Sequence, residues 1–282
     1  MTAECLLAEG PGVGRRTGAV AASRADSFES VLFVGDKQQD QIFIGLPGAF
    51  SKLPAGARKT LAGSAVLKTF KKNENLVPYG QPAAPVIALR SGLVAIMHGA
   101  EEDTPLVSDF LRPQDVYAES TRSNTVTRGQ LTALASSSAV VFRVDAFREV
   151  LLSQPAFAVW FLNETERRLA DQYLYRTRNA LMTDEGQFAY FLWSISEELD
   201  KDRRVVRVKV PDRIIASYLG VAREQVNRKK QLLEKTGHIL QTDQGIELMP
   251  SLPALFSFEV STPLPGEQPF HTAFSNITGY GF

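Results

Sequence analysis

The stretch from Pro211 to His238 constrains this chain most, because its spacing is that of two short helices joined by a tight turn. The apolar positions of the first helix share one face: Ile214, Ile215, Tyr218 and Leu219. Apolar spacing then resumes at Val226, Leu232 and Leu233. Ala216 is small where the second helix has to cross, and Gly220 has no Cβ to obstruct the turn. The pattern predicts a helix-turn-helix.

The second helix of this pair is expected to present polar side chains outward on its first turns. These are Arg223, Glu224, Gln225, Asn227 and Arg228, with Lys229 and Lys230 following them. Arg pairs bidentately with guanine, Glu accepts from cytosine, and Gln or Asn can pair with adenine. The segment 203–235 also has a clear excess of Lys and Arg in a chain of zero formal net charge. Such a local excess indicates a surface for the phosphates of double-stranded DNA.

The segments Leu219–Arg228 and Leu233–Ile239 resemble the DNA-reading end of the Crp/Fnr family of bacterial transcription regulators. In that family an Arg-Glu pair opens the recognition helix, and an Arg follows four residues after the Glu. The resemblance implies that Arg223, Glu224 and Arg228 read a TGTGA-like half-site. It also implies a homodimer, with RNA polymerase as a further partner.

Two departures from the family pattern lie in the same helix. Ala222 stands where the family usually has a Ser or Thr N-cap, whose loss would cost about 1 kcal/mol. Lys229 and Lys230 occupy positions that are commonly apolar. Either a slightly rotated helix or snorkelling lysine stems would accommodate them.

From Phe43 to about Phe147 the sequence has short β-type runs separated by turn residues, which predicts a small antiparallel barrel or sandwich. The expected strands are Ala65–Phe70, Leu76–Tyr79, Val86–Leu89, Leu93–Met97, Pro105–Phe110 and Ser138–Val144. Parts of this run resemble the family's cyclic-nucleotide-binding-type β-roll. Asn73 and Gln114 then stand at two turn positions where the family has glycine, and a left-handed backbone suits Asn better than Gln.

The resemblance implies an effector pocket in the β-roll. There the family uses a Glu for the ribose hydroxyl and an Arg for the cyclic phosphate, and Glu119 and Arg128 are the matching positions. The Gly that precedes the Glu in the family is Ala118 here. Because backbone amides have to approach the phosphate closely, we expect no dependence on a cyclic nucleotide.

A long helix is predicted from Pro155 to about Met182. Its apolar residues form a broad stripe: Phe157, Trp160, Phe161, Leu169, Tyr173, Leu174 and Leu181. The resemblance implies that this stripe is a dimer seam, and the alternative is a helix buried within one protomer. A further helix at Gln187–Leu199, a strand at Val205–Val210 and a two-stranded wing within Ile239–Leu248 complete the pattern.

The predicted fold class is α+β, with an N-terminal cyclic-nucleotide-binding-type β-roll, a long dimerisation helix and a C-terminal winged helix-turn-helix. The expected boundaries are 1–39 for a flexible extension, 40–152 for the β-roll, 153–182 for the dimerisation helix, 183–255 for the winged helix-turn-helix and 256–282 for an aromatic tail.

The single cysteine, Cys5, leaves no cysteine cluster for an iron-sulfur centre, and no metal or other cofactor is expected. No apolar run is long enough to span a membrane, and no signal pattern opens the chain, so a cytoplasmic protein is expected. The three histidines, His98, His238 and His271, lie far apart with no nucleophile or ligand spacing beside them, which argues against an enzyme. The alternative to a DNA-binding regulator is a β-roll for ligand or protein binding whose DNA reader has decayed.

Overall fold

The computed structural model describes residues 41–82, 84–99, 106–120, 126–200 and 203–256. The expected flexible extension at 1–39, Cys5, and the aromatic tail after Phe256 lie outside the described residues. The helices are α1 (Gly48–Ser51), α2 (Ala55–Gly63), α3 (Val144–Ser153), α4 (Pro155–Leu181), α5 (Asp184–Ser194), α6 (Asp212–Leu219) and α7 (Arg223–Lys235). The strands are β1 (Ala65–Phe70), β2 (Asn75–Val77), β3 (Val86–Ser91), β4 (Val94–His98), β5 (Leu106–Leu111), β6 (Val116–Tyr117), β7 (Gln130–Ala133), β8 (Ser137–Phe142), β9 (Glu197–Asp200), β10 (Arg203–Val206), β11 (Ile239–Thr242) and β12 (Gly245–Leu248).

The first eight strands form two antiparallel sheets, with strand orders β1-β8-β3-β6 and β2-β7-β4-β5. Alternate residues of the central strands point to different cores. On β3, Ile87 and Leu89 join the core between the sheets, whereas Ala88 joins the core beneath α1–α4. On β4, Val94 lies in the same core between the sheets, whereas Ala95 faces the C-terminal helices. Because both faces of each sheet are buried, these strands are continuous apolar runs. The fold is thus α+β with antiparallel sheets, as the strand spacing predicted.

Two turns contain the backbone strain that the sequence anticipated. Asn73 has a φ of 68° and Gln114 a φ of 74°, and they are the non-glycine residues with positive φ in the described part of the chain. Both stand where the Crp/Fnr resemblance has glycine. The chain therefore keeps the left-handed turns of that pattern without their glycines, at a cost that is larger for Gln than for Asn.

The region before β1 is helical rather than extended. Phe50 on α1 stacks on Phe142 of β8 and meets Phe157 and Trp160 of α4 edge-on. This aromatic cluster attaches α1 to the start of the long helix. Sequence patterning missed both helices, because their apolar residues belong to a core contributed mainly by distant segments.

The helix predicted at Gln187–Leu199 begins earlier and ends at Ser194. Its expected last three residues, 197–199, belong instead to strand β9, which pairs with β10 in a sheet ordered β11-β12-β10-β9. The predicted strand at Val205–Val210 was placed too late, since β10 ends at Val206. The hydrogen-bonded pairing of β9 with β10 therefore outweighed the helical spacing of the apolar residues that precede it.

The C-terminal elements are tied to α5 by a close backbone approach. A Cβ on Gly186 would lie 2.5 Å from the carbonyl oxygen of Leu255, which ends a short 3-10 turn at Leu252–Leu255. Phe256 then packs against Tyr190 and Trp193 on α5. The first aromatic residue of the expected tail is therefore part of this core. Among the described residues, no helix has the length and apolar character to cross a membrane.

Candidate nucleic-acid interface

Helices α6 and α7 form the two-helix unit that the sequence predicted. Ile214, Ile215 and Leu219 are buried on the inner face of α6. Gly220 follows in the left-handed conformation with a φ of 68°, and the Val221 N–H donates to the carbonyl oxygen of Ala216 at 3.0 Å. No atom lies within 4 Å of a Cβ built on Gly220. Glycine is thus required there by its backbone conformation and not by lack of space, which corrects the reason expected from sequence.

The first turn of α7 is capped in an unusual way. Ala222 is the N-cap residue and has no side-chain acceptor. The side chain of Gln225 reaches back instead, and its Oε1 accepts from the Ala222 N–H at 2.9 Å. This is one half of a capping box, so the missing Ser or Thr is partly compensated. Gln225, expected as a base reader, has its carbonyl oxygen engaged within the protein.

The outer face of α7 presents the remaining residues of the predicted reader. Arg223, Glu224, Asn227 and Arg228 are exposed, together with Gln225. Val226 and Leu233 are buried on the opposite face. The side chains that can pair with base edges thus lie together on one accessible side of a helix that is fixed from behind.

The two lysines at apolar positions differ from each other. Lys230 is half-buried. Lys229 faces the core, with 6% of its side chain exposed, and its Nζ lies 3.1 Å from Asp184 Oδ2. The expectation that Lys229 points outward with the DNA-facing residues is therefore wrong. Helical spacing places residue 229 on the same inner face as Val226 and Leu233.

Basic residues next to α7 differ in their availability for phosphates. Lys209 and Arg213 are exposed, as is Arg207, which is paired with Glu197 at 3.4 Å. The Arg204 guanidinium instead stacks over Trp193 at 4.5 Å and donates to Ser196. The basic excess of the sequence is therefore only partly a free surface.

The hairpin of β11 and β12 stands beside α7 and is held to it by Gln241, whose Nε2 donates to Glu234 Oε2 at 2.7 Å. Its turn depends on Gly245, which has a φ of 135°. A Cβ there would lie 2.2 Å from the carbonyl oxygen of Val206. The hairpin matches the two short strands and polar turn expected from sequence.

The structure brings Glu119 and Arg128 together, but through the backbone. Glu119 Oε1 accepts from the Arg128 N–H at 2.6 Å, while the Arg128 side chain is exposed. Tyr117 Oη lies 3.5 Å from Glu119 Oε2. Burial and the nearby Glu119 carboxylate raise the pKa of the Tyr117 hydroxyl, so it stays protonated at neutral pH. The carboxylate that would take a ribose hydroxyl is thus already hydrogen-bonded within the chain.

The apolar stripe of α4 divides between two environments. Phe157, Trp160 and Phe161 pack into the protomer's own aromatic core. A second row of apolar side chains, more than half exposed, runs along another face: Val159, Leu162, Leu169 and Tyr173. Sequence patterning merged the two rows and missed Val159 and Leu162, because it could not show which positions the N-terminal helices cover.

No protein-family model and no curated protein sequence matches this chain. Solved structures match its fold. FixK2 from Bradyrhizobium japonicum is 18% identical, with a TM-score of 0.60 over 70% of this chain and 99% of its own. A transcriptional regulator of the CRP/FNR family from Thermus thermophilus is 19% identical, with a TM-score of 0.53 over 67% of this chain and 97% of its own. A putative transcriptional regulator of that family from Eubacterium rectale is 14% identical, with a TM-score of 0.57 over 74% of this chain and 97% of its own. The chain has a Crp/Fnr-type fold.

Proposed function

We propose that this chain of Crp/Fnr-type fold is a sequence-specific DNA-binding transcription regulator that works as a homodimer. Helices α6 and α7 and the β11–β12 hairpin act as a winged helix-turn-helix, with α7 in the major groove. The observation that carries the proposal is the exposed set of Arg223, Glu224, Asn227 and Arg228 on the first turns of a helix fixed from behind.

The proposed half-site rests on the Crp/Fnr resemblance, and the chemistry of the exposed residues is compatible with it. Arg223 and Arg228 each donate a pair of hydrogen bonds to guanine, and Glu224 accepts from cytosine. The positions are those at which the Crp/Fnr pattern reads TGTGA, and we propose a similar half-site here. Lys209 and Arg213 contact flanking phosphates and fix the register of the helix.

A second copy of the chain supplies the other half-site. One helix specifies too few base pairs, and the exposed row of Val159, Leu162, Leu169 and Tyr173 has coiled-coil spacing. A two-fold dimer along α4 places the two α7 helices on half-sites about 34 Å apart, one turn of DNA. RNA polymerase is the further partner that such a regulator acts on.

DNA binding is proposed to be independent of cyclic nucleotides. Glu119 already accepts from Arg128 N–H, and the residue before it is Ala118 rather than glycine. Part of the capacity of the Glu119 carboxylate to accept hydrogen bonds is thus already used within the chain. We expect no calorimetric heat with cyclic AMP or cyclic GMP at about 100 μM, and a low-micromolar Kd for either would contradict the proposal.

Selection of bound sequences from random oligonucleotides tests the function. The expected result is enrichment of a palindrome with two half-sites centred one helical turn apart. Affinity for the enriched site should fall steeply with salt, because phosphate contacts release counterions. Recovery of no enriched sequence would favour the alternative, a ligand-binding or protein-binding β-roll with a decayed DNA reader.

A further inference from the structure

Lys229 and Asp184 join the recognition helix to the end of the long helix. Asp184 is the first residue of α5 and stands three positions after Leu181, where α4 ends. Thr183 between them is the N-cap of α5, and its Oγ1 accepts from the Gly186 N–H at 3.1 Å. Asp184 is therefore held at a fixed place beside the α4–α5 connection.

The Lys229 side chain crosses the interior of the two-helix unit to reach this carboxylate. Its Nζ is buried and lies 3.1 Å from Asp184 Oδ2, while the Asp184 side chain is 60% exposed. Val226 and Leu233, on the same face of α7, are buried among apolar residues. A purely apolar side chain would satisfy position 229 at lower desolvation cost, since the buried Nζ of Lys229 gives up its hydration. Stability alone does not account for a lysine here.

An ion pair at this position limits what apolar packing leaves adjustable, because the buried Nζ has the Asp184 carboxylate as its charged partner, although the two form no well-aligned hydrogen bond. Apolar contacts tolerate small rotations of a helix about its axis, whereas an ammonium group that has one carboxylate in reach does not. A rotation of α7 by about 30° would move side-chain tips on its surface by about 3 Å. That is close to the separation of successive base pairs, about 3.4 Å. The same rotation would carry Arg228 from one base pair toward the next.

We propose that the Lys229–Asp184 ion pair sets the rotational register of α7 relative to the end of α4. Lys229 is a positioning residue that acts through Asp184, and it does not contact phosphate. The pair selects which base edges Arg228 and Glu224 reach. This inference rests on the proposed function. It adds a pair of residues that determine specificity without contacting a base.

The chain offers a matched control for each partner. Lys230→Met removes the same charge from the next position of α7, where the side chain is half-buried. Glu185→Ala removes the other carboxylate from the first turn of α5, and so has the same effect on the helix dipole as Asp184→Ala. Asp184→Glu keeps the carboxylate and serves as the conservative rescue.

The first measurement compares binding to the selected site and to a site changed at the base pair that Arg228 contacts. Lys229→Met and Asp184→Ala should each reduce this discrimination about tenfold, leave the salt dependence as in the wild type, and be non-additive when combined. Glu185→Ala and Lys230→Met should keep the discrimination, and Asp184→Glu should restore most of it. If Lys229→Met weakened binding to both sites equally, the lysine would be structural or a phosphate ligand, and the proposal would be wrong.

A second measurement needs no DNA. Acetylation of the folded protein, followed by mass spectrometry, should label Lys229 about tenfold more slowly than the exposed Lys235. In Asp184→Ala the rate at Lys229 should rise to within about twofold of Lys235, and in Glu185→Ala it should not change. Unchanged protection of Lys229 in Asp184→Ala would overturn the proposal. If the wild-type protein showed no sequence preference, the proposed function would be wrong. The acetylation rates would still decide whether Asp184 holds Lys229.

Discussion

The ring of Phe110 on β5 meets the ring of Tyr218 on α6 edge to face, with centroids 4.9 Å apart. Beside this contact, Ser217 Oγ accepts from the Val107 N–H at 3.0 Å, and Arg112 Nη1 donates to the carbonyl oxygen of Ser194 at 2.6 Å. The sheet that contains β5 and the helices α5 and α6 therefore share one core. A shift of β5 would be felt directly at α6, without passing through α4.

Replacing Arg228 by Ala should cost about 1–3 kcal/mol of binding free energy on the selected site and relax the choice of base at one position. The reason is the loss of a bidentate contact to guanine. Competition binding against sites changed at single base pairs measures it. Arg213→Ala is the control on α6 and should weaken all sites alike while lowering the salt slope by about one. Equal losses on specific and random DNA for Arg228→Ala would contradict the reader assignment.

Replacing Leu162 or Leu169 by Glu should separate the dimer. Burial of each leucine side chain contributes about 1.5–3 kcal/mol to the free energy of association, and each substitution occurs twice in a two-fold dimer. We expect the dissociation constant of the dimer to rise at least about a hundredfold, as measured by sedimentation at micromolar concentration. Leu152→Glu, at a still more exposed leucine on α3, should leave the dimer intact. If the wild-type protein sedimented as a monomer in the presence of DNA, the proposed dimer contact along α4 would be wrong.

Replacing Gln114 by Gly should stabilise the fold by about 0.5–1 kcal/mol, because glycine adopts a φ of 74° without the steric cost that glutamine bears. Asn73→Gly is the matched change at the other left-handed turn and should be closer to neutral, since Asn tolerates this conformation. Urea unfolding of both variants gives the comparison. A stabilisation that is larger at position 73 would show that the turn geometry is not the source of strain.

Replacing Gly245 by Ala should destabilise the hairpin by more than about 2 kcal/mol, because the new Cβ would overlap the carbonyl oxygen of Val206. Gly237→Ala provides the comparison, because its φ is also positive, at 74°, but its surroundings are open. It should cost only about 1 kcal/mol. Thermal unfolding of the two variants measures the difference. Equal losses would mean that backbone conformation matters at position 245 and close packing does not.

Local spacing was sufficient to predict the elements that carry the proposed site. The long helix was expected at Pro155–Met182 and occurs at Pro155–Leu181. Helices α6 and α7 and the two strands after them lie where the sequence placed them. These elements have strong periodicity and clear boundaries at proline or glycine, which are the features that sequence patterns report best.

The contacts that cross between elements could not be predicted. Nothing local distinguishes Phe157, which packs inward, from Leu162, which does not, because the segment that covers Phe157 lies about a hundred residues earlier at Phe50. Lys229 lies in a basic segment and so resembles a phosphate ligand in the sequence, and only its burial in the structure shows that it faces the core. The carboxylate of Glu119 matched a family position, but its bond to the Arg128 N–H depends on how two loops meet.

The two tryptophans of the chain stand in different cores and have different neighbours. Trp160 lies among phenylalanine rings, 5.5 Å from Phe50 and 5.1 Å from Phe157 between ring centroids. Trp193 lies under the Arg204 guanidinium and also contacts the ring of Phe256. The fluorescence emission of the protein therefore has two separable sources. With Trp160 changed to Phe, the remaining tryptophan emission reports only the environment of α5, and a spectral change on adding DNA would come from the half of the molecule that contains α6 and α7.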